Sequence, residues 1–483
     1  MITQVVTKQI IDHCKNQEMI VTHNTELFNI FEGDLLTYVK LELAKCFSVK
    51  TFEKILPRIA PINVLKKIID KLSKIYQQNV IRSVEYGTGQ DSELLKDYEY
   101  QFAINQKMNQ ANEFFNLFKN SLIQIYYHPQ KRLLQTRVLP SNQFSVWSND
   151  PIEPNIPTHI ILYYGKVNNK KVYCIYSDQQ FVIVDEDNEI CSDLMIKSGN
   201  PEGVIPWGQM PFIYINKSLN QIIPIPDSDT LKMTKLIPIL LSDLNYAVMY
   251  QAFSIIYGID VDDKNLEMNP SAFWHFKSDP NLPGQKPEVG MIKPQVDISE
   301  TLTLIQAELA FWLETRGIKP GSLGTLSNNN FASGISKMID EADTFEDRIK
   351  QIEYFKDAEN RFWDLALNKM HNYFAMVGAI DNNYIFSSTA EICIKYPEQK
   401  PMISRADLVN TLKAERDAGF TSTERAIEML NPDLNETDIA ELILEIQAER
   451  NVIIQEAELP EGSDLLPTIT EVPNADQNPA SQV

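Results

Sequence analysis

A helix-rich α+β fold is what the sequence predicts, and three observations predict it. Apolar residues recur at three- and four-residue spacing over most of the first 130 residues and again from Ile335 to Val377. Between Arg132 and Ile223 the pattern changes to short alternating runs rich in β-branched residues, separated by Asn, Asp, Ser and Pro. The chain has 483 residues, enough for roughly three domains at about 150 residues each, and 43% of them are hydrophobic and 10% aromatic. That apolar content excludes wholesale disorder.

Taken in order, Leu27 to Phe47, Val64 to Tyr76 and Leu94 to Tyr127 carry the helical spacing, the last with Phe102, Met108, Phe114, Phe115 and Phe118 along it. Pro57 and Pro61 separate the first two, and Gly87 with Gly89 the second from the third. Strands are expected at Arg137–Leu139, Phe144–Trp147, His159–Tyr164, Val172–Tyr176 and Gln180–Asp185. Turns are expected at Asn168-Asn169 and Ser177-Asp178, because Asn and Asp tolerate positive φ and bond their own backbone. After Pro224 and Pro226, Ser228 or Asp229 serves as the cap of a helix that runs through Tyr257 and is apolar on most faces. Such a helix has to pack on several sides. The stretch from Gly258 to Val296 loses the helical period and holds Pro270, Pro280, Pro283 and Pro287, so it reads as a compact insertion of turns and short strands.

A shorter helix is expected from Ile298 to Arg316, then a Gly-, Ser- and Asn-rich interval from Gly317 to Gly334 of the kind that has a task or moves. From Ile335 to Val377 there is neither Gly nor Pro, and Phe345, Ile349, Ile352, Phe355, Phe362 and Leu365 fall on one stripe. A continuous helix there would be a rod of roughly 65 Å. A strand is expected at Ile392–Tyr396, then three short helices with Ser404, Thr421 and Asn435 as caps, each three residues before an acidic side chain. The segment from Glu458 to Val483 is rich in Pro, Asn, Ser and acidic residues and reads as a disordered acidic tail.

Net charge is −21, and from Asn431 onward twelve acidic residues face one basic residue, Arg450, so about half of the excess sits in a ninth of the chain. The one basic-leaning stretch, Lys45 to Arg82, holds nine Lys and Arg against Glu53 and Asp70, and its plain reading is the solvated face of amphipathic helices. Tight, sequence-tolerant nucleic-acid binding demands a broader basic surface than this. Leu236 to Tyr257, the longest apolar stretch, is interrupted by Pro238, Asp243, Asn245 and Gln251, so no membrane span is expected. Asp12, Lys15 and Glu18 interrupt what a signal peptide would keep apolar, so the chain is expected to be soluble and to stay inside a cell. Cys14, Cys46, Cys174, Cys191 and Cys393 are odd in number and scattered, which points to free, buried thiols.

Catalytic patterns are thin. Gly87-Thr-Gly-Gln90 lacks the Gly-Lys-Ser/Thr of a phosphate loop, and Asp185–Glu189 and Asp260–Asp263 lack the later ligands of a calcium loop. The six histidines lie far apart without metal-ligand spacing. Phe362-Trp363 with Tyr373-Phe374 reads as core, since Glu359 and Asp364 contradict a base-stacking surface. No catalytic residue, metal or cofactor is expected; the residues favour an interaction protein over an enzyme.

Four segments, in order, carry a resemblance: Arg137-Val-Leu-Pro-Ser-Asn-Gln-Phe-Ser-Val146 in the sheet region, and Leu240-Leu-Ser-Asp-Leu-Asn245 in the apolar helix; then Phe331-Ala-Ser-Gly-Ile-Ser-Lys337 at the start of the long helix, and Gly419-Phe-Thr-Ser-Thr-Glu-Arg-Ala-Ile-Glu-Met-Leu-Asn-Pro432 near the end. Together, over roughly Asn116 to Arg450, they resemble the portal (head-to-tail connector) proteins of tailed double-stranded DNA bacteriophages, with Ser336 standing where a small Ala is commoner. The resemblance implies a wing over residues 1–226 (helical 1–128, β-rich 129–226), a stem helix over 227–257, a clip over 258–297 and a second stem helix over 298–317. It further implies a channel loop over 318–333, a long helix and wing return over 334–400 and a helical crown over 401–457, before the tail at 458–483.

By the same resemblance the chain forms a ring, usually of twelve subunits, at a unique capsid vertex of the virion, after assembly in the host cytoplasm. DNA is packaged and ejected through it without sequence dependence. The implied partners are further copies of the chain, the terminase large subunit, head–tail adaptor proteins and the major capsid protein, with no membrane. Lys319, Ser327, Asn328, Asn329 and Asn330 are the implied channel-loop residues. Phe273 and Trp274 are the candidate clip anchors, with burial inside the clip an equal reading. An acidic chain suits such a conduit, because a wall that held phosphates tightly would stop DNA from sliding. The second reading is another oligomeric virion connector or scaffold without a DNA channel.

Overall fold

The structure is a computed structural model, and it describes residues 2–253, 255–259, 288–292, 297–319, 334–397, 405–431, 439 and 442–446. The chain divides into two units, Met1–Gln399 and Lys400–Val483. Helix and sheet are mixed in the first.

Its helices at the amino-terminal end are α1 (Gln4–Asn16), α2 (Glu18–Phe31), α3 (Leu35–Cys46), α4 (Val49–Ile55) and α5 (Leu65–Leu72). Leu27 to Phe47 is therefore two helices and not one. Gly33, at φ +116°, takes a conformation that L side chains rarely adopt and ends α2. A strand that periodicity did not predict, β1 (Ile81–Glu85), comes next and pairs antiparallel with β11 (Glu391–Lys395), the strand expected at Ile392–Tyr396. Between β1 and α6 (Gly89–Phe102), Gly87 packs so closely that a Cβ there would lie 2.5 Å from Val84 Cγ1. Thr88 and Asp91 then close a reciprocal capping box on α6. The Gly87–Gln90 motif is thus a helix start.

The stretch from Leu94 to Tyr127 departs most from expectation. α6 ends at Ala103 (φ 48°), α7 (Ile104–Phe118) ends at Lys119 (φ 65°), and Asn120–His128 is strand β2. The sheet accordingly starts inside the region 1–128 that the resemblance implies to be helical. β2 is the central strand of a three-stranded antiparallel sheet, flanked by β3 (Leu133–Leu139) and β8 (Phe212–Asn216). A second antiparallel sheet runs in the order β4 (Phe144–Trp147), β5 (His159–Val167), β6 (Lys170–Tyr176), β7 (Phe181–Asp185). Asn168 and Asn169 both take positive φ in the β5–β6 turn, as their chemistry predicts. The short α8 (Ser192–Lys197) and β8 carried no readable signal. Asp185 Oδ1 accepts from the backbone N–H groups of Asp187 and Glu189, so that acidic run is a self-bonded turn.

Strand alternation builds the layers. Ile123, Ile125, Leu134, Val138, Ile213 and Ile215 face a helical core formed with α2, α3, α6, α7 and the long helix. Leu122, Leu139, Phe212 and Tyr214 on the opposite face meet Val146, Ile160 and other residues of the four-stranded sheet. That sheet's outer face, with Ile161, Tyr173 and Ile175, is covered by Ile10, Ile11 and Cys14 of α1. The order is helices, sheet, sheet, helix.

The long helix begins as α11 (Gly334–Trp363), continues through a π-helical segment (Asp364–His371) and ends as α12 (Asn372–Met376). Phe355, Phe362, Trp363 and Leu365 are fully buried, so Phe362-Trp363 is core, whereas Tyr373 and Phe374 are half-buried and line a groove. Ile349, placed on the stripe by sequence, is 62% exposed. Among the cysteines, Cys14 and Cys174 are buried while Cys46 is exposed and Cys191 and Cys393 lie between; all are free. Arg82, counted with the solvated basic stretch, is buried.

In the second unit, α13 (Arg405–Asp417) and α14 (Thr423–Leu430) are described. Ser422, not Thr421, caps α14, its Oγ accepting from Arg425 N. The expected caps Ser404 and Asn435 and the acidic tail lie outside the described residues.

Candidate functional site

Of the segments singled out by the resemblance, Leu240–Asn245 lies in a helix that packs against a second one. α9 (Ser228–Phe253) begins with Ser228 and Asp229 in its first turn, so Asp227, not either of the expected caps, precedes it. It ends at Phe253, four residues before the expected Tyr257, which instead lies in β9 (Ile255–Ile259). β9 pairs antiparallel with β10 (Glu288–Ile292) in a two-stranded ribbon, with Ile255 opposite Ile292 and Ile259 opposite Glu288. The chain returns in α10 (Ile298–Glu314), whose start is capped by Asp297, its Oδ1 accepting from Ser299 N and Glu300 N. At 1.5 Å per residue the two helices are roughly 39 and 26 Å long.

An ionic clamp closes the pair at the end away from the ribbon. Arg316, two residues past α10, donates from Nη1 to Asp227 Oδ2 at 2.7 Å and from Nη2 to Asp229 Oδ2 at 2.8 Å and Thr230 Oγ1 at 2.6 Å. Lys119, at the turn into β2, donates to Asp227 Oδ1 at 2.5 Å. The end of α10 is thereby held against the start of α9, so the helices run antiparallel. Burial would lower the Arg316 pKa, but its hydrogen bonds and attraction to Asp227 and Asp229 outweigh that and raise it. Burial likewise pushes the Asp227 carboxyl up, and Lys119 and Arg316 bring it below the usual carboxylate value.

Beneath the clamp, Ile318 is buried with Ile68, Trp312 and Leu313. This fixes the chain just before residues 320–333. Asp347 and Lys350 of α11 share a cavity of about 360 Å³ with Lys119, Lys217, Asp227 and Arg316. Charges of both signs line it, so it lacks the one-signed field that concentrates phosphate.

The pair leaves apolar side chains uncovered. Phe311 is 68% exposed and Leu304 54%, while Leu302 and Val248 are also exposed, and Leu236, Leu240 and Leu244 along α9 are only half-buried. Glu308 Oε2 and Trp312 Nε1 are buried on α10 without a hydrogen-bond partner among the described residues. An apolar surface on long helices, fastened at one end by charge, is suited to association.

Of the residues named from the sequence, Lys319 is half-buried beside Ile318. Ser327, Asn328, Asn329, Asn330, Phe273 and Trp274 lie outside the described residues. Sequence reasoning missed the clamp. A basic residue just past a helix end is an ordinary dipole partner, and nothing local links Arg316 to Asp229, 87 residues earlier. Among the described residues, no three His, Cys, Asp or Glu side chains gather where they could hold a metal ion, and no helix is long and apolar enough to cross a membrane.

No family model matches the chain, and no curated protein matches it. Two solved structures similar to it are a chain from the neck of an empty GTA particle, computed with C6 symmetry, and one from the virion of a native gene transfer agent (GTA) particle. Each is 12% identical, covers 78% of this chain and 92% of its own, and superimposes with a TM-score of 0.39.

Proposed function

We propose that the chain is one subunit of a portal-type ring, a conduit for double-stranded DNA at a capsid vertex that serves as a docking platform for terminase and head–tail adaptors. The observation that carries this reading is the clamped α9–α10 pair, which leaves Leu304 and Phe311 in water on a single copy. Its place in the chain supports the reading further: a β-rich region precedes it, a ribbon interrupts it, and a long helix follows it, as the family's order of wing, stem, clip, stem and channel helix requires. In a ring the uncovered side chains pack on the next subunit, a head-to-tail contact that closes after a fixed number of copies. The segment around Ser327–Asn330 lines the channel, its amide side chains offering neutral hydrogen-bonding groups to passing DNA.

Negative-stain images of the purified chain test this directly, with rings pierced by an axial hole wide enough for a duplex as the expected result. Filled discs or irregular clusters would favour a connector or scaffold without a channel. Deleting Ser327 to Asn330 should leave the rings intact and impair DNA packaging or retention; unchanged infectivity would remove the channel-loop assignment.

A further inference from the structure

The three-stranded and four-stranded sheets pack closely at one end and part at the other. Leu122 opposite Leu139 lies in the contact, whereas Gln124 opposite Arg137, and Tyr126, farther along the same face, border an open groove. Tyr164, Tyr176 and Phe181 from the second sheet form its other wall, and Trp207, Tyr373 and Phe374 one end. Its volume is about 1020 Å³, at the top of the roughly 300–1000 Å³ range of small-molecule sites.

Two features say what would fill it. The first is charge: in a chain of net charge −21, no carboxylate among the described residues lines the groove, and Arg137 is the one charged side chain among them that does. The second is how Arg137 is held. Its Nε donates to Gln124 Oε1 at 2.7 Å, and the guanidinium lies 5.9 Å from the centre of the Tyr126 ring. That fixes the plane of the fork and leaves both terminal nitrogens without a hydrogen-bond partner among the described residues, as is needed to grip a carboxylate with two parallel bonds. Exposed Tyr164 and its aromatic neighbours offer flat apolar surfaces of the kind on which extended, proline-containing segments lie. A single cation is too little for a nucleic-acid strand, which is held by repeated phosphate contacts.

We propose that this groove docks an extended acidic segment of a partner protein, with a carboxylate seated on Arg137 and apolar or proline side chains on the aromatic wall. The proposal is independent of the ring reading. It is tested by selecting a displayed library of short random peptides on the full-length chain, on Arg137→Glu and on Tyr164→Ser, both at exposed positions, with melting curves confirming that the variants fold. The wild type should enrich peptides carrying Asp or Glu near proline or aromatic residues, and Arg137→Glu should switch the preference to Lys and Arg. Selected acidic peptides should bind Arg137→Glu at least about tenfold more weakly, as expected for losing a charge-assisted pair. Tyr164→Ser should weaken them while keeping the acidic preference. Enrichment that ignores Arg137→Glu, no enrichment at all, or tighter binding of an oligo-dT strand at this site would overturn the proposal. So would self-association of the chain that Arg137→Glu abolishes, which would give the groove to a second copy.

Discussion

Arg82 and Glu359 stand 277 residues apart and meet with both side chains fully buried, Nε to Oε2 at 2.8 Å and Nη2 to Oε1 at 2.9 Å. Tyr76 donates to the same carboxylate at 2.6 Å, and Asn105 and Glu99 take up Arg82 Nη1. The pair ties β1 to the long helix. Removing one partner strands a buried charge, so Glu359→Ala should cost about 3–5 kcal/mol in denaturant unfolding, while Arg82→Met with Glu359→Leu together should recover most of it. A single-variant loss below about 1 kcal/mol would show that the charges reach water. His371 is a second buried group, with Nε2 at 2.7 Å from the Tyr384 carbonyl and Nδ1 at 2.9 Å from the Tyr98 hydroxyl. A carbonyl only accepts, so Nε2 carries the proton, and Nδ1 accepts from Tyr98. Burial lowers the His371 pKa despite that backbone acceptor, and burial lowers His13 and His159 as well. As pH falls below about 6.5 the unfolded chain takes up protons that the folded one refuses, so stability is full above that pH and is lost toward the folded pKa. The fall in Tm between about pH 7.5 and 5.5 should therefore be smaller in His371→Gln than in the wild type. An equal fall in both would mean that His371 titrates normally. Neither contact was legible in the sequence, because both join residues with no local signal of pairing.

Elements were legible where periodicity and punctuation agreed. α10 begins at Ile298 as expected, and the turns at Asn168-Asn169 and the five strands around them follow from alternation and turn chemistry. β2 was hidden because Leu122 to Tyr127 continues the apolar run of α7, and the break falls at Lys119, a residue type that does not announce positive φ. Ala103 hides the α6–α7 break in the same way. The π-helical segment, a form often found at functional positions, has no sequence mark either. The α9–α10 pair makes the prediction at this scale. Leu304→Glu with Phe311→Glu changes two exposed positions, so stability should move little, by no more than about 0.5 kcal/mol per site, while assembly is lost. Size-exclusion chromatography with light scattering reads both species. Assembly at wild-type strength would place the contact between copies elsewhere.

At the scale of the molecule, the sequence conveyed helix-rich α+β character and a change from helix to sheet, which it put near residue 130 although β2 begins at Asn120, but not the layering. The face each strand presents depends on register, and a shift of one residue would exchange the helical core side for the inter-sheet side. The groove beside Arg137 exists only because two sheets diverge, so residues from 124 to 374 contribute to a place that no short motif marks. The association surface is similar: the apolar helix was readable, yet which side chains a single copy leaves uncovered depends on how α9 and α10 are clamped by Arg316. On the proposed reading, the apolar side chains that the fastened helix pair holds in water are covered by further copies of the chain. Native mass spectrometry of the purified chain, across a range of salt concentrations, measures this most directly. A closed species near twelve times the 55.3 kDa subunit mass is the predicted result, and a lone 55.3 kDa species under every condition would contradict it.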